Sequence, residues 1–253
     1  MTTRKIIFLI VLGLALISII KMNNREDKVS VANAVSVDPV SHASMILNWD
    51  GKAIYTDPVG SGENFFKTPT PDLILLTDIH GDHLDLERLQ DLSTDNTIIV
   101  APETVADKLN SVQAGILVVL KNGETANHIG FKIEAIPMYN LPETEKSYHT
   151  KGRGNGYVIE KGDTRVYVSG DTSGIPEMRN LRDVDIAFVA MNLPYTMSVE
   201  EAADAVLEFK PKQVYPYHFR TPEGFSDVAK FKEIVNSQNP KIEVIQLEWY
   251  SKS

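Results

Sequence analysis

Leu73-Ile74-Leu75-Leu76-Thr77-Asp78-Ile79-His80-Gly81-Asp82-His83 sets four apolar residues directly before a segment carrying two carboxylates and two imidazoles. The apolar run reads as a buried strand, and Gly81 lets the chain turn sharply after it. Asp78, His80, Asp82 and His83 then crowd within six positions at the strand's end. A carboxylate or imidazole left in a dry core is costly unless it is paired or coordinated. Imidazole with carboxylate is the donor chemistry of Zn2+ and of other divalent first-row ions. A polar loop ending in a helix-capping Asp is the competing reading, and the rest of the chain has to decide between them.

Working outward, three more apolar stretches end in a chemically active residue. Ile54-Tyr55-Thr56 leads to Asp57, Val166-Tyr167-Val168-Ser169-Gly170 leads to Asp171, and Val214-Tyr215-Pro216-Tyr217 leads to His218. Each alone has an ordinary explanation as a turn residue or a satisfied histidine. Together they repeat one placement, the carboxyl end of a strand, where layered α/β folds bind ligands.

Residues 43–49 and 52–56 read as a hairpin closed by Asp50-Gly51. Further strands are expected at 73–76, 97–100, 116–120, 131–137, 157–160, 165–169, 185–190, 213–215 and 242–247. Helices are expected at 84–92, 102–109, 198–209 and 226–235, with Ser198 and Glu201 forming a capping box. Hairpins early and strand–helix units later point to layered α/β packing in one domain spanning 41–253. Residue His128 reads as part of a turn and is given no role.

The 253 residues are 43% hydrophobic and 23% charged, the make-up of an ordinary globule, with a formal net charge of −9. The first 28 residues hold five Lys/Arg and two Asp/Glu, which leaves 20 against 32 for the remainder. Such an acidic body repels a phosphate backbone and argues against a nucleic-acid partner. Cysteine is absent, so any metal must be held by His and carboxylate, and a lipid-modified Cys is excluded. Residues 1–40 read as a targeting segment plus linker. Arg4 and Lys5 precede fifteen residues, 6–20, without a charge. That is about 22 Å of helix, short for a bilayer but suited to a signal peptide or uncleaved signal anchor. Ala32-Asn33-Ala34 offers a small-x-small cleavage pattern. The domain is accordingly expected to be exported, either membrane-anchored or released. Lys21, Arg25 and Lys28 on the far side pull against that orientation.

The ordered set Asp57, Asp78-x-His80-x-Asp82-His83, Ser169-Gly170-Asp171-Thr172 and His218 resembles the metallo-β-lactamase-fold hydrolase superfamily. It looks most similar to the branch with ascorbate-phosphate lactonases and the N-acyl phosphatidylethanolamine phospholipase. The resemblance covers nearly all of 41–220 and implies a four-layer αββα sandwich with a metal site along one edge between the two sheets. It implies that His80 is a ligand of a first ion, that Asp82, His83 and His218 are ligands of a second, and that Asp171 bridges the two. Asp57 resembles a carboxylate that braces the ligands, and His42 resembles a histidine that opens this branch near the site.

Two departures stand out. Asp78 occupies a position usually held by His, and Met138-Tyr139-Asn140 follows the strand after which another ligand His is usual. Asn140 is a poor ligand. His149, in the glycine-rich stretch that includes Gly152-Arg153-Gly154, is the substitute at hand. A first site of Asp78, His80 and His149 is more anionic than three histidines, which widens the expected metals from Zn2+ to Mn2+ or Fe2+.

The expected chemistry is hydrolysis of an ester, lactone or phosphodiester in a small molecule. One or two divalent ions would supply a hydroxide nucleophile, with Asp82 or Asp171 taking the proton. No Gly-x-Ser-x-Gly elbow offers another nucleophile. Tyr195, Tyr217 and Arg220 are candidates to orient an anionic substrate. Two other readings stay open: a phospholipase or phosphodiesterase at the membrane, and an exported metal-binding protein without turnover.

Overall fold

The computed structural model describes residues 35–65 and 67–250. Six strands form the first sheet in chain order: β1 (Val35–Ser41), β2 (Ser44–Trp49), β3 (Lys52–Thr56), β4 (Leu73–Leu75), β5 (Ile98–Ala101) and β6 (Ile116–Val119). The hairpin strands pair antiparallel, and β3 to β6 run parallel. The second sheet contains β7 (Thr125–His128), β8 (Phe131–Met138), β9 (Gly154–Lys161), β10 (Thr164–Val168), β11 (Ile186–Ala190), β12 (Gln213–Tyr217) and a short last strand, Glu243–Val244. Its order is last strand, β12, β11, β10, β9, β8, β7, and its parallel half begins at β10.

Side-chain alternation along the strands builds the layers. Leu73 and Leu75 join Met45, Leu47, Ile54 and Val100 in a core shared with Ile133, Tyr157, Val166, Val168 and Phe188 of the other sheet. Their neighbours Ile74, Tyr55 and Ile99 point the other way. They pack under helices α1 (Leu86–Leu92) and α2 (Glu103–Ala106) through Leu89 and Val105. The outer face of the second sheet is covered by α3 (Pro176–Arg179), α4 (Val199–Phe209) and α5 (Val228–Gln238), with Ala202, Val206 and Phe231 against Tyr167, Val189 and Val214. The arrangement is a four-layer αββα sandwich.

Three local expectations are corrected. The first strand starts at Val35, inside the stretch assigned to the linker and ahead of the expected boundary at 41. It is an edge strand in which only Val35 is fully buried, so its mixed polar composition resembles a linker; Pro39 is tolerated there beside a bulge. Ser198 caps α4 by accepting from Glu201 N, but the Glu201 carboxylate accepts from Gly174 N instead of closing a capping box. His128 ends β7 rather than lying in a turn. The expected leader and its membrane and export roles fall on residues outside those described. Among the described residues, no helix is long and apolar enough to cross a membrane.

Candidate metal centre

The polar islands fall where strands end. Asp57 follows β3, the Asp78–His83 loop follows β4, Asp171 lies three residues beyond β10, and His218 follows β12. The loop after β4 is pinned at both ends. His83 N and Leu84 N both donate to His80 O, and Asp85 caps α1 by accepting from Arg88 N. Asp57, His218 and His42 all have left-handed backbone angles (φ 42°, 48° and 55°), which is uncommon for residues with side chains. His218 N donates to His42 O, so two of these three are tied to each other.

The seven side chains named as ligands in the sequence come together, joined by His42. Asp78, His80 and His149 form one group; His83, Asp171 and His218 form a second; His42, Asp82 and His218 form a third. Within each group the donor atoms lie inside 4.8 Å of one another. His83 Nε2 lies 3.1 Å from His218 Nε2 and 3.3 Å from Asp171 Oδ2. His218 Nε2 lies 3.3 Å from Asp171 Oδ1, and His149 Nε2 lies 3.4 Å from Asp171 Oδ2. Asp171 therefore sits between the groups. Asp82 is the open member: its Oδ2 is 3.3 Å from His42 Nε2 and 3.6 Å from His218 Nε2, and its side chain is 44% exposed.

The donor set fits a divalent cation. Asp171 Oδ1 and His149 Nε2 are buried without a hydrogen-bond partner, an expensive arrangement unless something else satisfies them. The far nitrogens of the rings are fixed from behind. His83 Nδ1 is 2.8 Å from Asp57 Oδ2, and His149 Nδ1 is 3.2 Å from the Tyr195 carbonyl. Donation from those Nδ1 atoms leaves each Nε2 lone pair facing the cluster, the usual arrangement behind metal-binding histidines. Asp57 is itself held by Thr77, whose N and Oγ1 donate to its two oxygens. Asn192 supports His218 at Nδ1 (3.2 Å), and Thr196 Oγ1 donates to Asn192 Oδ1.

The charges are interlocked. Burial opposes ionisation of Asp171, but the His218 and His83 imidazoles hold its carboxyl well below the usual range. Burial would lower His83, yet Asp171 and Asp57 outweigh it and raise the imidazole well above its ordinary value. For Asp78, burial is overcome by the hydrogen bond from His80 and the charges of His83, His80 and Arg153, bringing it down to about 2. Burial lowers His149.

Asn140 does not enter the cluster. It holds His149 in place, its Oδ1 accepting from His149 N and its own N donating to His149 O. Tyr217 is corrected: it is fully buried in the inter-sheet core, and its hydroxyl accepts from Gly170 N, so it faces no substrate. Arg220 is corrected too. Its guanidinium stacks on Tyr250 and Phe225, and Tyr250 in turn contacts His42, so Arg220 is not among the residues lining the cleft but packs one residue behind it. Tyr195 does line the cleft, a space of about 340 Å3 bounded also by His80, Asp82, Tyr148, His149 and Asp171. Sequence reasoning missed Tyr148, Asn192 and Arg153. The only sign of Arg153 was a charge between two glycines beside His149.

Asp57→Asn is expected to weaken divalent-cation affinity about 10–100-fold, because the amide cannot fix the His83 tautomer as the carboxylate does. Titration against a chromophoric chelator reads this directly. A shift smaller than about threefold would show that Asp57 is a folding residue only.

A family model for the β-lactamase superfamily domain matches residues 36–218. A UPF0173 metal-dependent hydrolase of Thermococcus onnurineus is 32% identical over 182 residues, covering 70% of this chain and 79% of its own. A Parabacteroides distasonis protein described as a metal-dependent hydrolase shares the fold with a TM-score of 0.75 and 38% identity, over 85% of this chain and 94% of that one. The metallo hydrolase Igni18 of Ignicoccus hospitalis superposes with a TM-score of 0.71 at 24% identity, over 86% and 96% of the two chains, a likeness of fold. The chain belongs to the β-lactamase superfamily domain family and is a metal-dependent hydrolase of that superfamily.

Proposed function

We propose that this enzyme hydrolyses an ester, lactone or phosphodiester bond of a small molecule, using one or two divalent cations with Zn2+ as the first choice. The observation that carries this is the pair of buried, unpartnered atoms, Asp171 Oδ1 and His149 Nε2, aimed into the same space as His83 Nε2 and His218 Nε2. His83, His218 and Asp82 would hold one cation; His80, His149 and Asp78 would hold another; Asp171 would serve both. Bound there, a divalent cation supplies Lewis acidity toward the scissile oxygen and a water of lowered pKa.

The chain's own groups do the rest. Tyr148 and Tyr195 meet edge-to-face with centroids 4.9 Å apart and wall the cleft, fixing where the substrate body rests. Asp82 Oδ is the assigned proton carrier because it faces the opening while Asp171 is enclosed. Its basicity is low: burial raises it, but the His42 hydrogen bond and the His83 and His218 charges outweigh that. At neutral pH it is therefore ionised, the form able to accept a proton, though weakly basic for that task. A lipid phosphodiester is less well supported, because the cleft lining contains two carboxylates and no Lys or Arg to meet a charged headgroup.

The test is to strip the purified full chain with chelator, restore each divalent ion in turn, and assay an ester, lactone and phosphodiester panel beside His80→Ala/His83→Ala. Metal uptake and hydrolysis should both return in the native chain and both be missing from the double variant. Firm metal binding with no rate above background on any of the three bond types would overturn the reading.

A further inference from the structure

Asp78 differs from the other acidic members of the cluster in already facing a permanent cation. Arg153 Nε lies 3.3 Å from its Oδ1 and Nη2 lies 3.3 Å from its Oδ2, while His80 Nδ1 sits 2.5 Å from Oδ2. Asp171 and Asp82 have histidine neighbours only, with no Lys or Arg ion pair among the described residues.

The backbone puts Arg153 there. Its N donates to Thr150 O, and its carbonyl accepts from Thr104 Oγ1 at 2.7 Å. Asn155 N donates to the carbonyl of Thr77, the residue before Asp78. Gly154 comes so close that a Cβ would lie 2.7 Å from that same Thr77 oxygen. The start of β9 is thus laid against the root of the ligand loop, and residue 153 projects at Asp78.

A guanidinium stays charged at any physiological pH and forks onto a carboxylate at two points. A divalent ion approaching Asp78 therefore meets a carboxylate whose lone pairs are shared and whose charge is offset. The group around His83, Asp171 and His218 presents no such competitor. We infer that Arg153 is a positioning residue that makes the two cation sites unequal. One ion is held tightly by His83, His218, Asp171 and Asp82, and a second is held weakly by His80, His149 and an Asp78 shared with Arg153. The inference rests on the metal-site reading above. It also means that the added negative charge of Asp78 no longer favours harder ions by itself, since Arg153 offsets it.

The experiment titrates chelator-stripped full-length protein with Zn2+ against a chromophoric chelator, with calorimetry as a second readout. The native chain should bind one ion tightly and a second at least about tenfold more weakly. Arg153→Met should tighten the second ion about 10–100-fold, the scale of one unit charge a few ångströms away at a partly screened site. Its metal-free form should melt lower than the native metal-free form, because Asp78 is left buried without its partner. Arg153→Lys keeps the charge and should hold the second affinity within about threefold of native. If the Met variant does not fold, Arg153→Gln serves instead: it keeps a polar group against Asp78 without the charge and should tighten the second ion by a similar factor. Two equally tight ions in the native chain would overturn the inference. So would an unchanged second affinity in Arg153→Met or in Arg153→Gln. Finding no bound ion at all in the native chain would defeat the metal reading itself.

Discussion

Asp171→Asn is expected to lower metal-dependent hydrolysis by about 10³-fold or more and to strip the protein of at least one cation. Three imidazole nitrogens, those of His83, His149 and His218, lie within 3.3–3.4 Å of its two carboxylate oxygens. Among the described residues, no other carboxylate lies this close to histidines of both groups. An amide keeps the shape but removes the charge and turns a donor toward nitrogens that need an acceptor or a cation. Losing charge stabilisation worth several kcal/mol at the reacting oxygen gives a rate effect of that size. Elemental analysis and the same hydrolysis panel read it, with circular dichroism to confirm that the variant is folded. Native-like metal content and a rate within about tenfold would remove Asp171 from the centre of the site and leave the cluster without a hub.

Gly156→Ala is the second large effect, and it acts through the fold. Gly156 lies in β9 between β8 and β10, where glycine normally weakens a sheet. A Cβ there would stand 2.7 Å from Ser169 O and 2.9 Å from Val168 O, both backbone atoms. Neither can move like a side chain tip, so the strand carrying Ser169 must shift. Such overpacking costs about 2–3 kcal/mol, which for a domain of this size lowers Tm by roughly 4–12 °C. Because Ser169 lies two residues before Asp171, cation affinity should fall as well. Calorimetric melting of the metal-free and metal-loaded variant separates the two effects. An unchanged Tm would mean that the sheet accommodates a methyl group that the geometry excludes.

The parts of the site legible in the sequence are those announced by a local pattern. The unbroken apolar runs 73–76 and 166–168 report strands buried on both faces, and a charged or imidazole residue soon after such a run has few structural uses. His149 could be singled out because Asn140 is a poor ligand and the neighbouring glycines allow a close backbone approach. Arg153 was not legible, because a surface arginine and one that grips a buried carboxylate look the same in sequence. Tyr217 misled for the opposite reason. Its neighbour His218 faces the cluster, and alternation along β12 turns Tyr217 into the core. The first strand was missed because an edge strand with Pro39 and Asp38 has the composition of a linker.

By itself the sequence determined the donor chemistry and where along each strand the donors stand, since residue type and the apolar runs that mark buried strands are local properties. Whether those donors meet was decided only by the tertiary structure. Parallel β3 and β4 deliver Asp57 and the ligand loop to one edge of one sheet, and β10 and β12 deliver Asp171 and His218 to the facing edge of the other. The packing of two sheets face to face then brings the edges together, and the β9 glycines lay Arg153 against Asp78. The contact of His83 with His218 joins residues 135 positions apart, a distance over which no sequence pattern carries information and only packing of the whole chain does.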